Sequence, residues 1–268
     1  MNKKIGFIGC GKMASAIIGG VIASNYLSKE NIMAAEISEE KAAEKSKELG
    51  IKVITDNNEL VNSVDVVFVA TTPNFVEGVL NGIKSSVTKD KLVVSIAAGV
   101  TTRFIESILG SDKRVVRVMP NTPALVLEGM SGVAGGTTAT EEDVQAVVEL
   151  LSNIGKAIEV TEEQLDIVTA ISGSGPAFYY KVINDIARAG EKMGMDYEKA
   201  LTLSIQTAIG SAKMLLSSDK SAEDLIASVA TKGGCTRVGV DYMEEVDTAD
   251  MFYNLIEKTA EKAHALGK

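Results

Sequence analysis

The sequence predicts an α/β Rossmann-type doubly wound sheet followed by an all-α dimerisation domain. Three observations carry that expectation. Gly9-Cys10-Gly11-Lys12-Met13-Ala14 joins an apolar run to a helix-patterned one and matches G-x-G-x-x-A. β-Branched runs then alternate with amphipathic stretches as far as Val160, and after Thr161 no run reads as a strand. That change of character places a dinucleotide-binding domain at residues 1–161 and a helical domain at 162–268.

Ile5–Ile8 is the first apolar run, and Lys12–Ala23 repeats Ile17, Ile18, Val21 and Ile22 at helical spacing. Ile32–Ala35 reads as a strand, Glu39–Leu49 as a charged helix and residues 51–54 as a third strand. Residues 64–70 and 92–97 are near-continuous β-branched runs, as in parallel strands covered on both faces. Arg114–Met119 and residues 157–160 complete the strands, with helical patterns at 76–83, 103–109 and Glu141–Leu151 between them. Such alternation favours right-handed crossovers. Helices are expected next over 162–170, 177–193, Tyr197–Ser217, 222–230 and Thr248–Leu266, with Gly194 and Ser217-Ser218-Asp219 as stops. Tyr197–Ser217 and Thr248–Leu266 carry so much small apolar surface that a second copy of the chain is expected to cover it.

Composition narrows the function. Hydrophobic residues at 46 % and charged residues at 24 % exclude disordered and collagen-like classes. A net charge of −9 with no Lys/Arg cluster lacks the basic footprint of a nucleic-acid binder. No apolar run approaches the ~20 residues of a membrane span, and the start is too glycine-rich for a signal peptide. Two cysteines, Cys10 and Cys235, make neither a disulfide framework nor a metal quartet, which points to a reducing, cytoplasmic setting. With His264 the single histidine, no His-based triad or zinc site can be assembled, and no metal is expected.

The glycine turn carries the strongest local signal. Gly9 permits the tight turn, Gly11 lets backbone approach a pyrophosphate, and Ala14 allows close helix–sheet packing. A pyrophosphate there sits on a helix N-terminus, whose free N–H groups favour anions. Cys10 reads as a small spacer, since no basic partner lies near it in sequence. Glu36, at the end of the second strand, is placed to accept from a ribose 2′-OH, and Ile37-Ser38-Glu39-Glu40 offers no arginine for a 2′-phosphate. By that physics NADH competes with NADPH. Ala70-Thr71-Thr72-Pro73 and Ala97-Ala98-Gly99 end strands that face the same crevice, and the polar run Met119-Pro120-Asn121-Thr122-Pro123 is also placed at the cleft. Pro176, in the loop Ser172-Gly173-Ser174-Gly175-Pro176-Ala177, suits a helix's first turn. Thr231-Lys232-Gly233-Gly234-Cys235-Thr236 is either a backbone N–H nest for a carboxylate or a simple linker.

Taken together, Phe7–Met13, Ala97-Ala98-Gly99-Val100, Met119–Pro123, Ser172–Ala177 and Gly233-Gly234-Cys235-Thr236 resemble the pyrroline-5-carboxylate reductase family over essentially the whole chain. The resemblance implies reduction of 1-pyrroline-5-carboxylate to L-proline with NADPH or NADH, by a homodimer or ring of dimers with interlocking helical domains. It implies cofactor contacts at Phe7, Ile8, Gly9, Cys10, Gly11, Lys12 and Met13, at Asn57, at Ala70, Thr71, Thr72 and Pro73, and at Ala97, Ala98 and Gly99. It implies a substrate pocket from Ser174, Gly233, Gly234, Cys235 and Thr236, with loop amides on the carboxylate and Thr236 on the ring nitrogen. Lys232, Thr72 and Arg237 depart from the family's usual residues. A protonated cyclic imine is already a strong electrophile, so positioning and a matched hydrogen bond suffice without a covalent nucleophile. A β-hydroxyacid dehydrogenase-like oxidoreductase using Lys181 and Asn184 shares the two-domain plan, and a non-catalytic dinucleotide sensor shares the first domain.

Overall fold

The computed structural model describes residues 3–267, arranged in two compact units. The first runs to Ser174 and takes up the C-terminal stretch from Lys258, and the second is Gly175–Glu257.

The first unit is built on one eight-stranded sheet. Its elements are β1 (Ile5–Ile8), α1 (Lys12–Ala23), β2 (Ile32–Ala35), α2 (Glu39–Leu49), β3 (Lys52–Ile54), α3 (Asn57–Ser63), β4 (Val66–Val69) and α4 (Pro73–Ile83). There follow β5 (Leu92–Ser95), α5 (Thr102–Leu109), β6 (Arg114–Met119), β7 (Gly129–Gly135), α6 (Glu141–Leu151), β8 (Gly155–Glu159) and α7 (Leu165–Val168). The strand order is β3-β2-β1-β4-β5-β6-β7-β8. β1 to β6 are parallel, β7 runs antiparallel to β6, and β8 is parallel to β7. Side chains alternate across the sheet with a period of two. Ile5, Phe7, Phe68 and Val94 therefore enter one apolar layer, and Ile8, Val67, Val69 and Val93 the other. Phe7 stacks on Phe68 with ring centroids 4.7 Å apart.

Three elements are absent from the sequence-based expectation. β7 is masked by its own glycines, which close packing demands. A Cβ on Gly132 would lie 2.8 Å from Val168 Cγ1, and Gly155 (φ +143°) abuts the backbone of Gly129. α3 is a short polar helix capped by Asp56, whose Oδ1 accepts from the N–H groups of Asn58 (2.8 Å) and Glu59 (3.1 Å). α11, below, is the third. The helix expected over 162–170 is instead a short α7 that continues as a π turn, Thr169–Gly173. The loop expected at 172–177 is thus largely helical, with α8 starting at Gly175.

The second unit holds α8 (Gly175–Lys192), α9 (Tyr197–Ser217), α10 (Ala222–Val229) and α11 (Cys235–Glu245), and α12 (Thr248–Leu266) runs out of it. α8 and α9 pack through small residues, with a Cβ on Gly190 only 3.2 Å from Ala200 Cβ. The Arg188 guanidinium lies 4.1 Å above the Tyr197 ring. Among the described residues of this unit only Gly175, Ala187, Ala200, Ser204 and Ala230 are buried, while Tyr180, Ile186, Leu203, Leu216, Val238 and Tyr242 are exposed. A helical unit with so little core needs further surface to cover its apolar faces.

Candidate active site

A groove of about 860 Å³ opens at the C-terminal ends of β2, β1 and β4. The strand order reverses between β1 and β4, the place where open α/β sheets bind ligands. Gly9 bridges strand and helix at φ +93°, where a Cβ would lie 2.9 Å from Ala70 O. Gly9→Ala should therefore cost roughly 1–3 kcal/mol of backbone strain, read as a lower denaturant midpoint. A Cβ on Gly11 would meet nothing within 4 Å, so this glycine keeps the groove floor open. Gly11 is also the N-cap of α1, with no side-chain cap and no acid in the first turn. The first N–H groups of α1 are left for an anion. An uncapped helix start beside an open glycine fits a dinucleotide's pyrophosphate.

Of the cofactor residues expected from sequence, Ile8, Gly9, Cys10, Gly11, Glu36, Asn57, Ala70, Thr71 and Thr72 line this groove. The others lie outside its lining, each for a visible reason. Phe7 is 2 % exposed and belongs to the core with Phe68. Lys12 is exposed in the first turn of α1, and Met13 packs against the core. Pro73 opens α4. Ala97 is buried and Ala98 exposed, and Gly99 (φ +73°) lies against the end of α12, where a Cβ would be 3.1 Å from Leu266 O. The groove also draws in Phe75, Gly78, Val79 and Gly82 from one face of α4. Sequence reasoning missed these, although their i, i+3, i+4, i+7 spacing was there to read.

Glu36 does more than end β2. Its Oε1 accepts from the Cys10 N–H (2.7 Å) and its Oε2 from the Ile37 N–H (3.2 Å), which pins the carboxylate between the glycine turn and the groove rim. Each oxygen keeps a lone pair for another donor. Burial first, and then the Glu36 carboxylate, push the Cys10 thiol up to about 12. The neutral thiol is a spacer, not a nucleophile. Among the described residues Lys41 is the only cation lining the groove, and no arginine does so.

Further along the sheet, Arg117 on β6 is 3 % exposed and donates from Nη1 to Glu162 Oε1 (2.8 Å). The same oxygen accepts from the Thr102 N–H (3.2 Å), tying the start of α5, just past the Ala97–Gly99 stretch, to the chain beyond β8. Asn121 follows β6 and bonds Ser172, two residues before Ser174. In the second unit Gly233 takes φ +78° and Gly234 caps α11. Cys235 and Thr236 therefore begin a helix, which corrects the loop expected there. Their first-turn N–H groups are unbonded by the helix, and Thr236 is exposed. The Gly234 N–H turns back to Thr231 O (3.0 Å). Lys181 is exposed and ion-paired with Asp185, and Asn184 Oδ1 accepts from the Tyr197 hydroxyl (2.9 Å). The rival catalytic pair is thus otherwise engaged. Among the described residues no group of three His, Cys, Asp or Glu could hold a metal ion, and no helix is long and apolar enough to cross a membrane.

Comparison with known proteins gives this geometry its context. The pyrroline-5-carboxylate reductase of Methanosarcina acetivorans is 42 % identical over 100 % of this chain and 99 % of its own. The chain belongs to the pyrroline-5-carboxylate reductase family. Residues 162–266 match the family model for pyrroline-5-carboxylate reductase dimerisation, and residues 4–99 match that for NADP oxidoreductase, coenzyme F420-dependent. The Escherichia coli pyrroline-5-carboxylate reductase is 37 % identical over 100 % of both chains. A Coxiella burnetii pyrroline-5-carboxylate reductase superposes with a TM-score of 0.95 at 32 % identity, covering 100 % of both chains. A Plasmodium falciparum pyrroline carboxylate reductase solved with NADP bound gives 0.87 at 33 % identity, covering 100 % of this chain and 99 % of that one. In this reductase family the helical half is a dimerisation domain, which accounts for the apolar faces that α8 to α12 leave uncovered.

Proposed function

We propose that this chain reduces 1-pyrroline-5-carboxylate to L-proline by hydride transfer from NADH or NADPH, the last step of proline biosynthesis. The observation that carries the reading is similarity to named reductases over the full chain, joined to an open glycine turn at the β1/β4 switch point. The dinucleotide, when bound, supplies the hydride. Gly9, Gly11 and the start of α1 hold its pyrophosphate, Glu36 accepts from its adenosine ribose, and Asn57 and Ala70–Thr72 line its path. The contacts assigned to Phe7, Lys12, Met13, Pro73 and Ala97–Gly99 rest on the family resemblance alone. The first-turn N–H groups of α11, from Cys235 on, receive the substrate carboxylate with the Gly233 N–H, while Gly234, its own N–H turned back to Thr231 O, shapes the loop around it. Thr236 hydrogen-bonds the ring nitrogen, and Ser174 completes the pocket. The chain divides at 161/162, a reading supported by the dimerisation match beginning at residue 162. It works in the cytoplasm as a dimer or ring of dimers, and two unpaired cysteines agree with a reducing compartment.

The test is consumption of reduced nicotinamide by purified protein with 1-pyrroline-5-carboxylate, run in parallel with NADH and NADPH. No turnover with either, from a protein that binds dinucleotide, overturns the reading. The same assay weighs Glu36. A carboxylate beside a 2′-phosphate costs on the order of 1 kcal/mol or more. Glu36→Gln keeps an oxygen for the Cys10 N–H and removes the charge. It should raise the NADPH-to-NADH ratio of kcat/KM about tenfold and lower the NADPH-to-NADH ratio of dissociation constants by about the same factor. An unchanged ratio removes Glu36 from coenzyme selection.

A further inference from the structure

We propose that Asn121 is a positioning residue for the substrate end of the site, holding the π turn that delivers Ser174. The role given to Ser174 rests on the reductase reading above. Asn121 follows Pro120 at the end of β6 and is 8 % exposed. It stands at the N-cap of the 3-10 turn Thr122–Val126, where an asparagine ordinarily caps through its own side chain. Here the side chain makes no capping bond and reaches across the fold. Oδ1 accepts from the Met130 N–H of β7 (2.8 Å), and Nδ2 donates to Ser172 O (3.1 Å). One partner is an obligate donor and the other an obligate acceptor, so the amide orientation is fixed by chemistry.

Ser172 needs that donor because of its own sequence. A helical carbonyl accepts from the N–H four residues on, and four residues after Ser172 stands Pro176, which has none. The turn around Ser172 is also in an unusual register. Thr169–Gly173 is a π turn, closed by the Ser174 N–H on Thr169 O (2.8 Å). Such turns are uncommon and are frequently found at functional sites. Two hydroxyls add to the loosening, Thr169 Oγ1 on Leu165 O (2.7 Å) and Ser172 Oγ on Val168 O (3.1 Å). Gly173 lies against the same strand end, where a Cβ would be 2.5 Å from Met119 Cε. The end of β6 therefore braces this turn twice, by contact at Met119 and by hydrogen bond at Asn121. Without the Asn121 bond Ser172 O has no donor among the described residues, and the turn can relax by a residue into α register. Ser174 then swings about 100° around the helix axis, away from its place in the pocket.

Asn121→Asp separates this role from bracing of β7. The aspartate keeps an acceptor for the Met130 N–H and turns an oxygen toward Ser172 O in place of a donor. Misplacement of this order costs roughly 10- to 100-fold in turnover. The expected results for Asn121→Asp are a kcat on 1-pyrroline-5-carboxylate lowered by that factor, NADPH and NADH dissociation constants within about twofold of the parent, and hydrogen exchange at the Ser174 amide faster by about tenfold. Asn121→Ala, which loses both bonds, should show the same exchange and a lower thermal midpoint as well. Unchanged Ser174 exchange, or unchanged kcat with faster exchange, overturns the proposal. A loss of kcat matched by an equal loss of dinucleotide affinity also overturns it, since that marks general unfolding. A parent protein without turnover counts against the reductase reading instead, and the Ser174 exchange rate then decides the role of Asn121.

Discussion

Glu162→Ala lowers the thermal-unfolding midpoint by about 10 °C. Arg117 is 3 % exposed, and its Nη1 is 2.8 Å from Glu162 Oε1. Removing the carboxylate leaves a buried guanidinium without its counter-charge, which costs about 3–5 kcal/mol. At ~2–4 °C per kcal/mol for a chain of this size, the shift is readily seen by circular dichroism. Removing both charges should recover most of it, because an apolar pair avoids the desolvation penalty altogether. Arg117→Met/Glu162→Leu is the variant to compare. A single-variant shift below about 2 °C shows that the pair holds little of the fold. Among the described residues Glu162 Oε2 is buried without a partner, so the carboxylate is retained at some cost. Its grip on the Thr102 N–H explains that retention, since the bond steadies the chain just past Ala97–Gly99.

Thr236→Val lowers kcat on 1-pyrroline-5-carboxylate about 100-fold and leaves the fold intact. A preorganised donor or acceptor aimed at the reacting atoms is worth roughly 10²–10³ in turnover. Thr236 is exposed in the first turn of α11, so an isosteric valine disturbs no packing. Thr236→Ser restores the hydroxyl and should restore most of kcat, while dinucleotide affinity stays constant across all three proteins. A valine variant that keeps half of the parent's kcat removes Thr236 from the chemistry.

Thr236 is legible in the sequence, within the Gly233-Gly234-Cys235-Thr236 motif. The pairing of Arg117 with Glu162 is not, because a strand arginine and a glutamate beyond the last strand carry no sequence signal of contact. The same division runs through the fold. β1, β2 and β6 and helices α1, α2 and α6 stand where periodicity places them, since a buried parallel strand or amphipathic helix writes its environment into its own residues. β7 does not, because Gly129 and Gly132 are chosen by neighbours that come too close for a side chain.

The sequence by itself determined the glycine turn, the sheet-then-helix order, the family, and the acid at the end of β2. All of these are properties of residues near one another along the chain. Only the tertiary structure decided that β7 reverses direction, that Glu36 spends two bonds on the Cys10 and Ile37 N–H groups, and that Asn121 supplies the donor Pro176 lacks. Hydrogen bonds between distant segments satisfy backbone groups whose need is local but whose partner is not. The deficit can be read from one stretch of sequence, and its remedy lies 51 residues away.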